Sequence, residues 1–152
     1  MALVLREAEV RSLLAMTDAV YVLEEAFSAF AEGAATNRPR TRIVLANGVM
    51  HVLAAAAPAL GVMGFKTYTV FREGVRFVVM LFSSQDGQLL AIIEADWLGR
   101  IRTGATSGVA TKYLARPGAS VVGMIGAGTQ AHTQLMGCLL YTSDAADDLT
   151  RV

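Results

Sequence analysis

Apolar positions recur at helical spacing at the two ends of the chain and run in short blocks between them. From Arg6 to Met16, Val10, Leu13 and Leu14 share one face, and after Thr17-Asp18 so do Val20, Leu23, Ala26, Phe27 and Phe30. This spacing predicts two core helices, the second capped by Thr17-Asp18 and ended at Gly33. Leu3-Val4-Leu5 predicts a short opening strand. From Ile43 to Phe65 no Asp, Glu, Lys or Arg occurs, a run long enough to span a bilayer. Asn47-Gly48, Pro58, Gly61 and Gly64 punctuate it, however, which suits short strands and not a lipid-facing helix. Asn47-Gly48 marks a hairpin turn with a returning strand over Met50–Ala54. Further strands are expected over Gly61–Val70, Val75–Phe82 and Gln88–Glu94, separated by Arg72–Gly74 and Gln85-Asp86-Gly87. Successive hairpins predict an antiparallel or mixed sheet. Asp96 then caps a helix over about 96–115, whose R-T-G-A-T-S-G-V-A-T segment is rich in small residues. Such a stripe admits close approach of a backbone, either of a neighbouring helix or of a ligand.

Arg116-Pro117-Gly118 interrupts the pattern and leads into S-V-V-G-M-I-G-A-G-T-Q-A-H-T-Q-L, residues 120–135. An apolar strand, a glycine turn and a helix start in that order form a dinucleotide-binding fingerprint of the G-x-G-x-x-A kind. Gly126 permits the tight turn, Gly128 lets backbone approach a pyrophosphate, and Ala131 leaves room for packing. The N–H groups at the helix start suit phosphate oxygens. The expected architecture is therefore α/β: a helix-flanked sheet up to about residue 118, followed by the start of a Rossmann-type unit.

Composition adds exclusions. Thirteen basic and thirteen acidic residues cancel, which argues against a nucleic-acid partner. The single cysteine, Cys138, rules out an internal disulfide framework and a multi-cysteine zinc site, so no metal site is expected. Without a recognisable leader or membrane segment the chain is expected to be cytoplasmic. His51 and His132 read as structural or exposed, and Trp97 and the methionines as packing.

Taken together, R-P-R-T, G-F-K, E-A-D-W-L-G-R-I-R-T-G-A-T-S-G-V-A-T-K-Y-L-A-R-P and V-V-G-M-I-G-A-G-T-Q-A resemble the ornithine cyclodeaminase and mu-crystallin family, over about Leu3 to Met136. The resemblance implies a substrate-binding and dimerisation domain over 1–118 and an NAD(P)-binding domain that begins at 119. It implies a homodimer that transfers hydride between NAD or NADP and the α-carbon of an amino or imino acid. Cyclodeaminases (lyases), alanine dehydrogenases and ketimine reductases (oxidoreductases) all lie within it, as do non-catalytic ligand carriers. By the same resemblance Arg40 binds the substrate carboxylate, with Arg42 the alternative in another register; a planar guanidinium suits that task. Lys66 resembles the lysine at the substrate site. Arg102 resembles an arginine that reaches both cofactor phosphates and substrate. Gly126, Ala127, Gly128, Thr129 and Gln130 resemble the cofactor turn.

The family pattern is expected to stop after about Gln134. Cys138 to Asp148 matches the in-frame translation of a transposase-type sequencing adapter, so residues 138–152 are read as non-native and 119–137 as a truncated Rossmann start. On this reading Asp144, Asp147 and Asp148 are not the ribose-binding acid, the family's catalytic aspartate is missing, no catalytic residue remains, and the helix after the glycines is expected to lose order beyond about Gly137.

Overall fold

The structure, a computed structural model, describes residues 1–141. It divides into two compact units. One comprises Met1–Leu13 and Ala26–Trp97; the other comprises Leu14–Glu25 and the described residues from Leu98 onward.

The first unit is built on a seven-stranded mixed sheet: β1 (Leu3–Leu5), β2 (Thr36–Asn37), β3 (Thr41–Leu45), β4 (Gly48–Ala57), β5 (Val62–Phe71), β6 (Gly74–Ser83) and β7 (Leu89–Glu94). The order is β1-β7-β6-β5-β4, with β2 and β3 both pairing with β4. Only β1 runs parallel to its neighbour; β3 to β7 form consecutive antiparallel ladders. The uncharged run from Ile43 to Phe65 thus becomes strand and turn, and no helix among the described residues is long and apolar enough to cross a membrane. Val-, Ile-, Tyr- and Phe-rich segments favour this pleated arrangement.

The Asn47-Gly48 signal produced its hairpin one residue out of place. Leu45 pairs with Gly48, so Ala46-Asn47 forms the loop and Gly48 opens β4. Among the described residues no non-glycine residue, and not Gly48, adopts a positive φ, so the turn is not of the I′ kind that Asn-Gly usually selects. The ladder register, fixed along the length of β4 and β5, outweighs the local preference.

The helix α1 (Glu7–Leu13) joins β7 to α3 (Asp96–Leu114) through carboxylates. The backbone N–H of Glu7 donates to Glu94 Oε2 at 3.0 Å, and Arg6 donates to Glu94 Oε1 at 2.7 Å. Glu7 itself accepts from the Asp96 N–H at 2.5 Å and from the Trp97 N–H at 3.1 Å. Asp96 is therefore the first helical residue and not the cap; Glu7, distant in sequence, satisfies the orphan donors of α3. Arg11 lies over the Trp97 ring at 4.5 Å. We expect Glu7→Ala to lower the unfolding free energy by about 1 kcal/mol, the usual cost of losing an N-terminal cap, as read from the midpoint of urea denaturation.

The second unit contains the first part of α2 (Met16–Ala31), α3 and α4 (Ala131–Leu139). Helix α2 starts at Met16, so Thr17-Asp18 sits in its first turn instead of capping it; Asp18 there complements the helix dipole. The small-residue stripe of α3 meets a helix. A Cβ on Gly104 would overlap the Thr133 carbonyl, and one on Gly108 would lie 2.8 Å from the Gly137 carbonyl oxygen and 3.2 Å from Val20 Cγ2. Ser107 hydrogen-bonds Gln134, and Thr111 Oγ1 donates to Cys138 Sγ at 3.3 Å. That contact accompanies a helix continuing to Leu139, two residues past the point near Gly137 where helical order was expected to end. Lys112 Nζ pairs with Glu24 at 2.7 Å.

The strand expected before the glycine turn is absent: residues 120–125 form no strand, and Val121 and Ile125 are 88% and 104% exposed. A parallel strand needs a neighbour delivered by a complete crossover, and none of the described residues supplies one. By compactness the chain divides at Trp97, because α3 packs with α4, whereas the motif reading places a domain boundary near 118. Residues 142–152, including Asp144, Asp147 and Asp148, lie outside the described residues.

Candidate functional site

Pairing register decides which side chains share a face. Arg42 stands opposite His51, His51 opposite Tyr68, and Tyr68 opposite Phe77, forming one transverse row across β3 to β6. Directly opposed residues in antiparallel pairs project to the same side, and the rings of this row touch. His51 and Tyr68 stack at 4.3 Å between centroids with 11° between planes, and Tyr68 and Phe77 lie 5.1 Å apart.

Lys66 precedes Tyr68 by one strand period and so projects from the same face. Its Nζ lies 5.4 Å from the Tyr68 centroid and 5.7 Å from that of Phe77. Arg40, just before β3, places its Cζ 5.9 Å from the same Tyr68 ring. The structure thus brings together two of the residues singled out from sequence, with Tyr68 between them. Lys66 is half-buried and Arg40 exposed. Cations over aromatic faces are attracted by the ring quadrupole, which holds both heads above an aromatic floor.

His51 is the residue that sequence reasoning passed over. It is 8% exposed, and its Nδ1 is buried without a hydrogen-bond partner. Burial first, then the charges of Arg40 and Arg42, push its imidazole below the ordinary histidine range, so the ring is neutral at pH 7. The signal that could have found it is the hairpin register, which pairs it with Arg42; the turn at Ala46-Asn47 was needed to read it. His132, by contrast, is exposed on α4.

The opposite face of the sheet carries an apolar hollow of about 410 Å³, lined by Ala54, Ala56, Met63, Phe65 and Phe82, with Arg38 at its edge. Strand alternation separates Phe65 in this hollow from Lys66 on the aromatic row.

In the second unit, Gly126 has φ +93° and a Cβ on Gly128 would meet nothing within 4 Å. Gly126, Ala127, Gly128, Thr129 and Gln130 are all exposed and lead into α4, whose first residue is Ala131. Gln130 stands at the cap position with no side-chain cap hydrogen bond, and the Ala131 N–H donates to the Gly128 carbonyl at 2.9 Å, so the turn itself satisfies one of the orphan donors of α4. This open turn fits the pyrophosphate of a dinucleotide. Arg102, on α3 in the same unit, keeps an exposed surface, while the protein atoms crowding its guanidinium on the other side desolvate it and lower its pKa from the usual arginine value without discharging it. Among the described residues no group of three or more His, Cys, Asp or Glu could hold a metal ion.

The first unit thus carries Arg40 and Lys66 over one aromatic ring of a mixed sheet, and the second carries a glycine turn that enters a helix. The sequence model of the ornithine cyclodeaminase/mu-crystallin family matches residues 1–143, and the chain belongs to that family. The match includes the first residues of the tail expected to depart from it. The alanine dehydrogenase of Archaeoglobus fulgidus is 36% identical over 140 residues, covering 88% of this chain and 43% of that protein. The probable ornithine cyclodeaminase of Bordetella pertussis Tohama I superposes with TM-score 0.89 at 34% identity, over 94% of this chain and 46% of that one. An archaeal alanine dehydrogenase dimer with bound NAD gives TM-score 0.85 at 35% identity, over 90% and 44%. The chain therefore spans somewhat less than half the length of these relatives.

Proposed function

We propose that this chain is the N-terminal part of an NAD(P)-dependent, homodimeric enzyme acting on a small amino or imino acid at its α-carbon. The observation that carries the reading is the meeting of Arg40 and Lys66 over Tyr68. Two cations held on one face, with an aromatic floor beneath them, suit a small carboxylate whose carbon skeleton packs on the rings. Arg40 takes the α-carboxylate as a bidentate partner, and Lys66 supplies the second positive charge. NAD(P), when bound, supplies or accepts the hydride. Gly126, Ala127, Gly128, Thr129 and Gln130 hold its pyrophosphate through backbone N–H groups, and Arg102 provides counter-charge to phosphate. The similarity to relatives that include a dimer with bound NAD supports both the cofactor and the assembly.

The test uses the full-length protein encoded at the source locus. Arg40→Ala should raise the KM for the amino or imino acid by about tenfold or more, because a charge-assisted hydrogen bond contributes about 1.5–3 kcal/mol. The KM for cofactor should stay near its original value. A substrate KM that does not respond would remove Arg40 from this role.

A further inference from the structure

The aromatic row carries information about the far end of the substrate. The recorded charges acting on His51 are those of Arg40 and Arg42, both cations. Lys66 stands over the next ring of the row. Following the register from β3 to β7 and β1, none of the strand positions sharing this face is Asp or Glu; Glu94, at the end of β7, projects from the other face and receives Arg6. A cationic group entering here would find no carboxylate among the strand positions of this face and would meet the like charges of Arg40 and Arg42. An anionic or hydrogen-bond-accepting group would find the reverse.

His51 sits where such a group is read. Its ring is wedged against Tyr68, and Nδ1 is sealed off, so contact with a ligand falls to Nε2. A neutral imidazole carries one proton, and because the sealed Nδ1 has no acceptor beside it we assign that proton to Nε2, from which it can be donated. We propose that His51 is a specificity-determining residue: its Nε2–H donates to the end of the substrate side chain. The face then accepts amino or imino acids whose side chains end in a hydrogen-bond acceptor, a second carboxylate foremost, and rejects those ending in an ammonium. This rests on the reading of the chain as part of an amino- or imino-acid enzyme, and within that reading it selects the reductase or dehydrogenase branch over the cyclodeamination of diamino acids.

Binding separates this inference from the wider reading. Titration calorimetry on the full-length protein would compare L-glutamate, L-norvaline and L-ornithine, which share an α-carboxylate and differ at the side-chain end. Glutamate should bind about tenfold or more tighter than ornithine, a difference of the size that a single polar contact in a site provides. His51→Phe keeps a ring on Tyr68 but has no donor, and should bring glutamate down to the level of norvaline. His51→Gln restores an N–H donor and should recover part of the preference, which also guards against misfolding of the Phe variant. Ornithine binding as tightly as glutamate, an unchanged preference in His51→Phe, or no binding of any of the three would each overturn the proposal. Loss of the wider reading shows separately, as an absence of NAD(P)H-linked turnover with every amino and imino acid tried.

Discussion

Purified by itself, the 152-residue chain is expected to show no dehydrogenase or cyclodeaminase turnover and to bind NAD and NADP more weakly than micromolar. The glycine turn offers backbone N–H groups to a pyrophosphate, but the adenosine and nicotinamide ends need walls made by further strands. The apolar stretch before the turn has not become a strand, and Ile125 is fully exposed. An edge that lacks its parallel neighbours cannot hold a flat base against a sheet. The same exposure should make the isolated chain prone to self-association. Calorimetry with each cofactor, combined with an absorbance assay for reduced cofactor across a panel of amino acids, checks this. Micromolar affinity or clear turnover would show that the described residues already contain a working site.

The second large effect is expected at the crossing of α3 and α4. Gly104 faces the Thr133 carbonyl so closely that the single methyl of Gly104→Ala would overlap backbone, with Met16 Cε a further 3.0 Å neighbour. The Thr133 backbone cannot move aside as the end of the Met16 side chain can, so the helices must separate. That should cost about 3 kcal/mol or more, the upper end for inserting one carbon into a packed contact. Gly99, in the same helix, supplies the control: a Cβ there meets nothing within 4 Å. Gly99→Ala should be neutral or stabilising by up to about 1 kcal/mol through helix propensity alone. Urea denaturation midpoints of the two variants give the comparison. Equal stability of Gly104→Ala and the parent chain would mean that α3 and α4 do not approach as described.

Much of the fold was legible because the cues were local. Alternation and turn residues located β4 to β7 within a few positions, and Gly33, Gly74, Gly87 and Gly118, each at a positive φ, fall where chain breaks were expected. The small residues of α3 signalled close contact, though only the partner in the structure shows that the contact is α4 and not a ligand. Local cues failed where a distant group competed. Asp96 looks like a cap in sequence, yet Glu7 reaches across from α1 and takes the work. Asn47-Gly48 looks like the two turn residues, yet the β4 ladder places Gly48 in the strand. Val121 to Ile125 looks like a strand, and is not one without a sheet to join.

For the site, the sequence by itself determined the residue types and their local settings: a guanidinium in R-P-R-T, a lysine in an apolar strand, and glycines before a helix. These follow from nearest-neighbour chemistry, and the family resemblance rested on them. Tertiary structure decided the register that puts Arg42, His51, Tyr68 and Phe77 in one row and sets Arg40 and Lys66 over the same ring. Register is a property of paired strands; a shift by one residue would send each of these side chains to the other face while leaving every local pattern intact. His51 shows the division most plainly. Nothing beside it in the chain marks it, and its meaning comes from the two arginines and the tyrosine that pairing brings to it.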